Sequence, residues 1–210
     1  GQPLYYAPLS EGEGAAPLSL RLRFVGDKIS KAEAIVARKG EPLFNPPGAI
    51  GDQPRDDAPL APALRADAAA MTRTANLYFD AISNVGDPSL IRGARGCERG
   101  ENGTRATNRA PRTESAAGAD EAMSGDCTAK LAGMPISAVA HRRFRVIDRE
   151  AGVILGVGLF QRPPGAVWRD GSPRKRNLID EYFALDGDRI SGIFAVMHYR
   201  EPADSDATAW

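Results

Sequence analysis

The stretch Phe24-Val25-Gly26-Asp27-Lys28-Ile29-Ser30, followed by Lys31-Ala32-Glu33-Ala34-Ile35-Val36, is answered near the other end of the chain. There Asp186-Gly187-Asp188-Arg189-Ile190-Ser191 runs into Gly192-Ile193-Phe194-Ala195-Val196. Gly26 and Gly187 stand 161 residues apart, a spacing too long for a solenoid, so the pair reads as two copies of one domain. Leu4-Tyr5-Tyr6-Ala7-Pro8 has a fainter counterpart in Leu159-Phe160-Gln161-Arg162-Pro163, at an offset of 155, which extends the repeat to three consecutive strands. On this reading residues 1–40 are the last strands of a truncated first copy, 41–66 a proline-rich linker, and 67–210 a complete domain.

Leu18, Leu20, Leu22 and Phe24 alternate with Ser19, Arg21 and Arg23, the period-2 pattern of a strand with one apolar face. Gly26-Asp27 is a tight turn and residues 29–37 return as a second strand. Such a meander buries too little surface to stand alone. Pro42, Pro46, Pro47, Pro54, Pro59 and Pro62 predict an extended connection. Asp67 is a candidate cap for a helix whose apolar positions are Ala68, Met71, Ala75, Tyr78, Phe79 and Ile82. A short second helix is expected over 87–91, with Pro88 in its first turn, and 93–127 reads as polar and irregular. Four strands follow, at about 136–147, 153–161, 177–185 and 190–199. Helices first and antiparallel strands after describe an α+β domain in which a curved sheet wraps N-terminal helices.

Lys plus Arg equals Asp plus Glu, so no net field draws the chain to nucleic acid or to an anionic membrane surface. No run approaches the ~18 apolar residues of a membrane helix. Cys97 and Cys127 flank the polar segment and read as a disulfide closing it, against the alternative of two buried thiols; the disulfide implies a periplasmic or secreted setting, and without it the setting is cytoplasmic. Two cysteines and two histidines at 97, 127, 141 and 198 lack zinc-type spacing, and no metal or cofactor is expected.

Several phrases are similar to a bacterial and fungal group of unknown function with two tandem cone-shaped domains. They are Leu22-Arg23-Phe24 through Lys39-Gly40, Tyr78-Phe79-Asp80-Ala81-Ile82, Cys97-Glu98-Arg99-Gly100-Glu101-Asn102-Gly103, Arg142-Arg143-Phe144-Arg145-Val146-Ile147-Asp148 and the terminal Trp210. More broadly the chain resembles the nuclear transport factor 2-like (SnoaL-like) superfamily. That resemblance implies a cone-shaped sheet around N-terminal helices, with a pocket between them. It also implies that a first cone domain precedes residues like 1–40. The wider superfamily includes dehydratases, isomerases, cyclases and lyases as well as non-enzymatic ligand binders.

In such a pocket the polar residues that face inward carry the chemistry. Glu181 shares a strand face with Asn177, Ile179, Phe183 and Leu185, where an unpaired carboxyl would have a raised pKa and serve as acid or base. Arg142 is in phase with Phe144 and Val146, and His198 with Ile190, Phe194 and Val196; both are candidates to point inward. Tyr78 is a candidate acid or oxyanion donor from the helix. Together these four form the candidate catalytic set, with His141, Tyr182 and Glu101 as candidate binding residues. The function expected is cofactor-free proton transfer on a small organic molecule, by a lyase, isomerase or dehydratase. The competing class is a non-catalytic ligand-binding or interaction domain. Expected partners are that small molecule and either a first-domain fragment or a second copy of the chain.

Overall fold

In the computed structural model the N-terminal segment is three strands, β1 (Leu4–Glu11), β2 (Gly14–Val25) and β3 (Lys28–Val36), paired antiparallel in the order β1-β2-β3. The structure describes residues 4–11, 14–45, 59–107, 127–129, 131–168 and 170–200. Residues 12–13, Pro46, Pro47 and Pro54 of the expected linker, residues 108–126 and Trp210 lie outside the described residues. Helix α1 (Ala68–Ile82) starts where the Asp67 side chain accepts a hydrogen bond from the Ala70 amide at 2.7 Å.

The remaining strands are β4 (Gly93–Glu101), β5 (Thr104–Arg105), β6 (Ala138–Asp148), β7 (Val153–Gln161), β8 (Arg176–Asp186) and β9 (Arg189–Arg200). They form one six-stranded sheet in the order β5-β4-β9-β8-β7-β6, antiparallel except where β4 runs parallel to β9. The fold is therefore mostly β, with one α-helix among the described residues. This overturns the expected α+β class, a cone-shaped sheet wrapped around N-terminal helices. The expected second helix is a single 3-10 turn, Pro88–Leu90. A segment this short cannot overcome the cost of helix nucleation. The stretch from Gly93 expected to be irregular instead pairs with β9 despite its glycines and arginines, because tertiary pairing overrides weak strand propensity.

The two faces of the six-stranded sheet are covered differently. One packs on α1 through Met71, Tyr78, Phe79 and Ile82, against Ile154, Ile179, Phe183, Ile193 and Met197. Gly156 lets the helix come close: a Cβ there would lie 2.9 Å from the Phe79 ring. The other face meets the three-stranded sheet, where Ile35, Ala37 and Val196 cluster with Phe44 and Leu178. Both faces of β8 and β9 are thus buried, and both carry apolar residues.

The hairpins β2–β3 and β8–β9 have the same register. Phe24 pairs with Ile29 and Val25 with Lys28; 161 residues on, Leu185 pairs with Ile190 and Asp186 with Arg189. The register shifts between Arg23 and Phe24 in one hairpin and between Ala184 and Leu185 in the other, at the same offset. Gly26 and Gly187 turn the chain with φ of 63° and 65°, a left-handed conformation that costs glycine nothing. Part of the expected linker is not a free connection. The Asn45 amide donates to the Asn102 carbonyl at 2.8 Å, and Thr104 Oγ1 donates to the Leu43 carbonyl at 2.6 Å.

Candidate functional site

The apolar core between α1 and the sheet holds a group of polar side chains around Tyr78. Tyr78 leaves the helix beside Phe79 and meets Phe183 edge-on, with ring centroids 5.2 Å apart. Its hydroxyl accepts a hydrogen bond from Arg99 Nη1 at 3.5 Å. Arg99 Nε lies 3.1 Å from Glu101 Oε1 in an ion pair whose side chains are 3% and 14% exposed. Glu181 completes the group from β8; it is 2% exposed, and its Oε2 has no hydrogen-bond partner among the described residues.

The backbone brings these residues together simply. Cys97, Arg99 and Glu101 are alternate positions of β4, and Cys97 is held in the core by its disulfide to Cys127, with Cα atoms 5.2 Å apart. Glu101 and Glu181 each pair with Ala195 of β9, from its two sides. Asn102 then ends β4 by accepting from the Met197 amide at 2.6 Å and donating to the Met197 carbonyl at 3.1 Å, which pins the strand beside β9.

Burial dominates the electrostatics. It pushes the Glu181 carboxyl up to about 8, helped by the negative charge of Glu101 and opposed by Arg99 and by hydrogen bonding with Tyr78. Glu181 is therefore mostly protonated at neutral pH. Burial also raises Tyr78, with Glu181 adding to the shift, so its hydroxyl stays a donor. Desolvation works against the charge of Arg99, yet Tyr78, Glu101 and Glu181 hold its pKa above the usual value. The result is a closed group of a neutral carboxylic acid, a phenol and an ion pair, with proton-donating groups beside a fixed positive charge.

Of the residues singled out from the sequence, the fold brings together Tyr78, Glu181 and Glu101. Arg142 lies at the edge of α1, donating to Asp80 Oδ1 at 2.5 Å, with its guanidinium 5.6 Å from the Phe79 ring centroid. His198 is on the opposite side of β9 from the core, with its Nδ1 2.8 Å from Glu41 Oε1. His141 is exposed, with φ of 54°, where β6 breaks register between Ala140 and Arg143. Tyr182 stands one residue from Glu181 in β8 and so on the other face, opposite Phe194. Arg99 was missed by reading 93–127 as irregular; the alternation of Cys97, Arg99 and Glu101 was the signal that it belonged to a strand.

Residues 64–197 match the domain family described as a domain of unknown function (DUF8021). The chain belongs to that family. The matched part of the DUF8021 domain runs from the start of the helical segment to Met197 and so contains all four residues of the buried group, while β1, β2 and β3 lie outside it. No curated protein matches the chain. Among solved structures, the crystal structure of a protein from Sphaerobacter thermophilus is similar over 66% of this chain and 99% of that one, at 17% identity and a TM-score of 0.35.

The Cys97–Cys127 disulfide of the DUF8021 domain points to an oxidising compartment. No helix among the described residues is long and apolar enough to cross a membrane.

Proposed function

We propose that the domain is a cofactor-independent lyase, isomerase or dehydratase that moves a proton on a small organic substrate. The observation that carries this reading is the Glu181 carboxyl, buried with one unpartnered oxygen beside a phenol and a guanidinium. A buried polar atom without a partner calls for an explanation, and a perturbed acid next to a specific charge partner is a recurrent sign of function. At neutral pH Glu181 donates its proton; above about 8 it accepts one. Arg99 supplies fixed positive charge for a developing oxyanion, and Tyr78 supplies a donor. Arg142, His198, His141 and Tyr182 take no part.

Exchange of solvent deuterium into small carbonyl compounds, followed by NMR, tests this. Above about pH 8, where Glu181 is a carboxylate and can take the proton, wild type should catalyse exchange at the carbon next to the carbonyl. Glu181→Gln should lower the rate by about 100-fold or more, the usual weight of a general acid or base. Exchange that Glu181→Gln leaves unchanged refutes the assignment. The enclosure of Tyr78 and Arg99, each 2% exposed, favours a second reading, a non-catalytic domain in which the same group only binds or stabilises. Ligand binding without exchange would select it.

The matched registers of β2–β3 and β8–β9 support duplication of one hairpin unit, and with it the reading of residues 1–40 as strands of another copy. The disulfide supports a secreted or periplasmic protein.

A further inference from the structure

Two buried guanidinium groups among the described residues have carboxylates: Arg21 has Glu33 and Arg99 has Glu101. Arg162 does not. It donates from Nε to the Lys175 carbonyl at 3.1 Å, from Nη1 to the Pro135 carbonyl at 3.2 Å and from Nη2 to Asn177 Oδ1 at 2.6 Å. All three acceptors are neutral, and among the described residues no carboxylate pairs with it. A guanidinium has five N–H donors, so two have no partner given by the described residues. The nearby Arg174, stacked 4.0 Å over the Trp168 ring, adds a second positive charge. Burial and that charge both disfavour the Arg162 cation, while Tyr199 and Glu101 favour it.

A second observation is independent of the charge. Asn177 is 0% exposed, and its Nδ2 has no partner among the described residues. Its Oδ1 is already held by Arg162, so the vacant amide donor belongs to the same cluster. Asn177 pairs with Phe160 on β7 and with Tyr199 on β9. Two residues along β8 comes Ile179, and two further comes Glu181, all on one face. The separation of Asn177 from Glu181 is about 13 Å at the usual strand rise. Glu101 acts electrostatically on both ends, on Glu181 and on Tyr199 and Arg162.

We propose that Arg162 and the Asn177 amide hold the anionic group of a small organic carboxylate. Arg–carboxylate pairs are planar and often bidentate, and the free donors of Arg162 with Asn177 Nδ2 form a compact set suited to one carboxylate. This proposal goes beyond the proton-transfer reading, because Asn177 and Glu181 stand about 13 Å apart along β8.

Titration calorimetry with acetate, benzoate and hexanoate tests it, with benzyl alcohol as the neutral control and inorganic phosphate as the alternative anion. At least one carboxylate should bind, benzyl alcohol should not, and Arg162→Gln should weaken the carboxylate at least about tenfold, as loss of a charged hydrogen bond requires. Arg142→Gln should bind as wild type does. Since Arg162 also ties two backbone carbonyls, its variant has a companion measurement on wild type: the bound carboxylate should shield Arg162, and not Arg142, from phenylglyoxal in peptide mass mapping. No binding by any of the three carboxylates overturns the proposal, as does binding that Arg162→Gln leaves intact without shielding, or phosphate binding as tight as the best carboxylate. A carboxylate bound at Arg162 without deuterium exchange fails the enzymatic reading alone. Exchange that depends on Glu181, without carboxylate binding at Arg162, fails this one alone.

Discussion

Ser19 donates a hydrogen bond to Asp180 at 2.7 Å, and the two residues are 161 positions apart, the same offset that relates Gly26 to Gly187. Ile35 and Val196 share that offset and meet in one cluster. Residues that contact their own equivalents lie on the axis of a two-fold arrangement, as in an isologous interface. The two hairpins therefore pack as a symmetric pair would, although their chemistry differs: one has a serine where the other has an acid.

That acid titrates unusually. Burial pushes Asp180 up to about 6; the hydrogen bond from Ser19 opposes the shift and the charge of Glu33 adds to it, while Arg143 and Arg21 oppose it. A folded pKa above the unfolded one means the folded state binds the proton more tightly. The resulting stability is present in full below about pH 4 and is lost as pH rises through about 6. Urea denaturation of wild type between pH 4 and 7 should show this decline, and Asp180→Asn should flatten it. Ser19→Ala at pH 7 should cost about 1–3 kcal/mol, because it leaves a buried charged acceptor short of a donor.

Glu181 predicts a second slope at higher pH. Its folded pKa of about 8 lies above the ordinary value of 4.5, so its contribution is present below about 4.5 and lost as pH rises through about 8. Glu181→Gln keeps the shape and removes the titration. Its denaturation midpoint should therefore vary less than that of wild type between pH 5 and about 9. Equal slopes in the two proteins would mean that Glu181 is solvated in the folded state.

Much of this was readable from residue order. The matching turn sequences located both hairpins, and Asp67 with the Met71–Ile82 stripe located α1, because turn glycines, caps and helical spacing are local signals. The face of Glu181 was legible too, since one β8 face runs Ile179, Glu181, Phe183. His198 was not. Ile193, Ala195 and Met197 face the helix while Val196 faces the other sheet, so period-2 alternation could not say which side of β9 was the inner one. Arg142 was obscured because it lies within a register break of β6, between Ala140 and Arg143. Arg99 and Arg162 depended on long-range pairing, which no local pattern reports.

Arg142 should behave as a clamp on the helix edge. Its side chain is 21% exposed and that of Asp80 38%, so solvent screens much of the pair. Arg142→Met should cost no more than about 1 kcal/mol in thermal or urea unfolding and leave deuterium exchange unchanged. A large loss of exchange with stability intact would put Arg142 back among the catalytic groups.

The disulfide has both a stability effect and a positional one. Cys97 and Cys127 close a loop with a sequence separation of 30, and constraining such a loop in the unfolded chain stabilises by about 3.5 kcal/mol on the chain-entropy model. Thiol titration of the denatured, unreduced protein should find no free thiol, and two would remove the case for an oxidising compartment. Cys97→Ala with Cys127→Ala should lower stability by roughly that amount. Because Cys97 is two residues from Arg99 on the same face of β4, the double variant should also loosen the Arg99–Glu101 pair. The carboxyl of Glu181 would then have a less fixed counter-charge, and its pKa should rise further, since Arg99 is among the groups that now hold it down. NMR titration of the Glu181 carboxyl in the two proteins reads this directly; an unchanged value would show that β4 keeps its place through pairing with β9 alone.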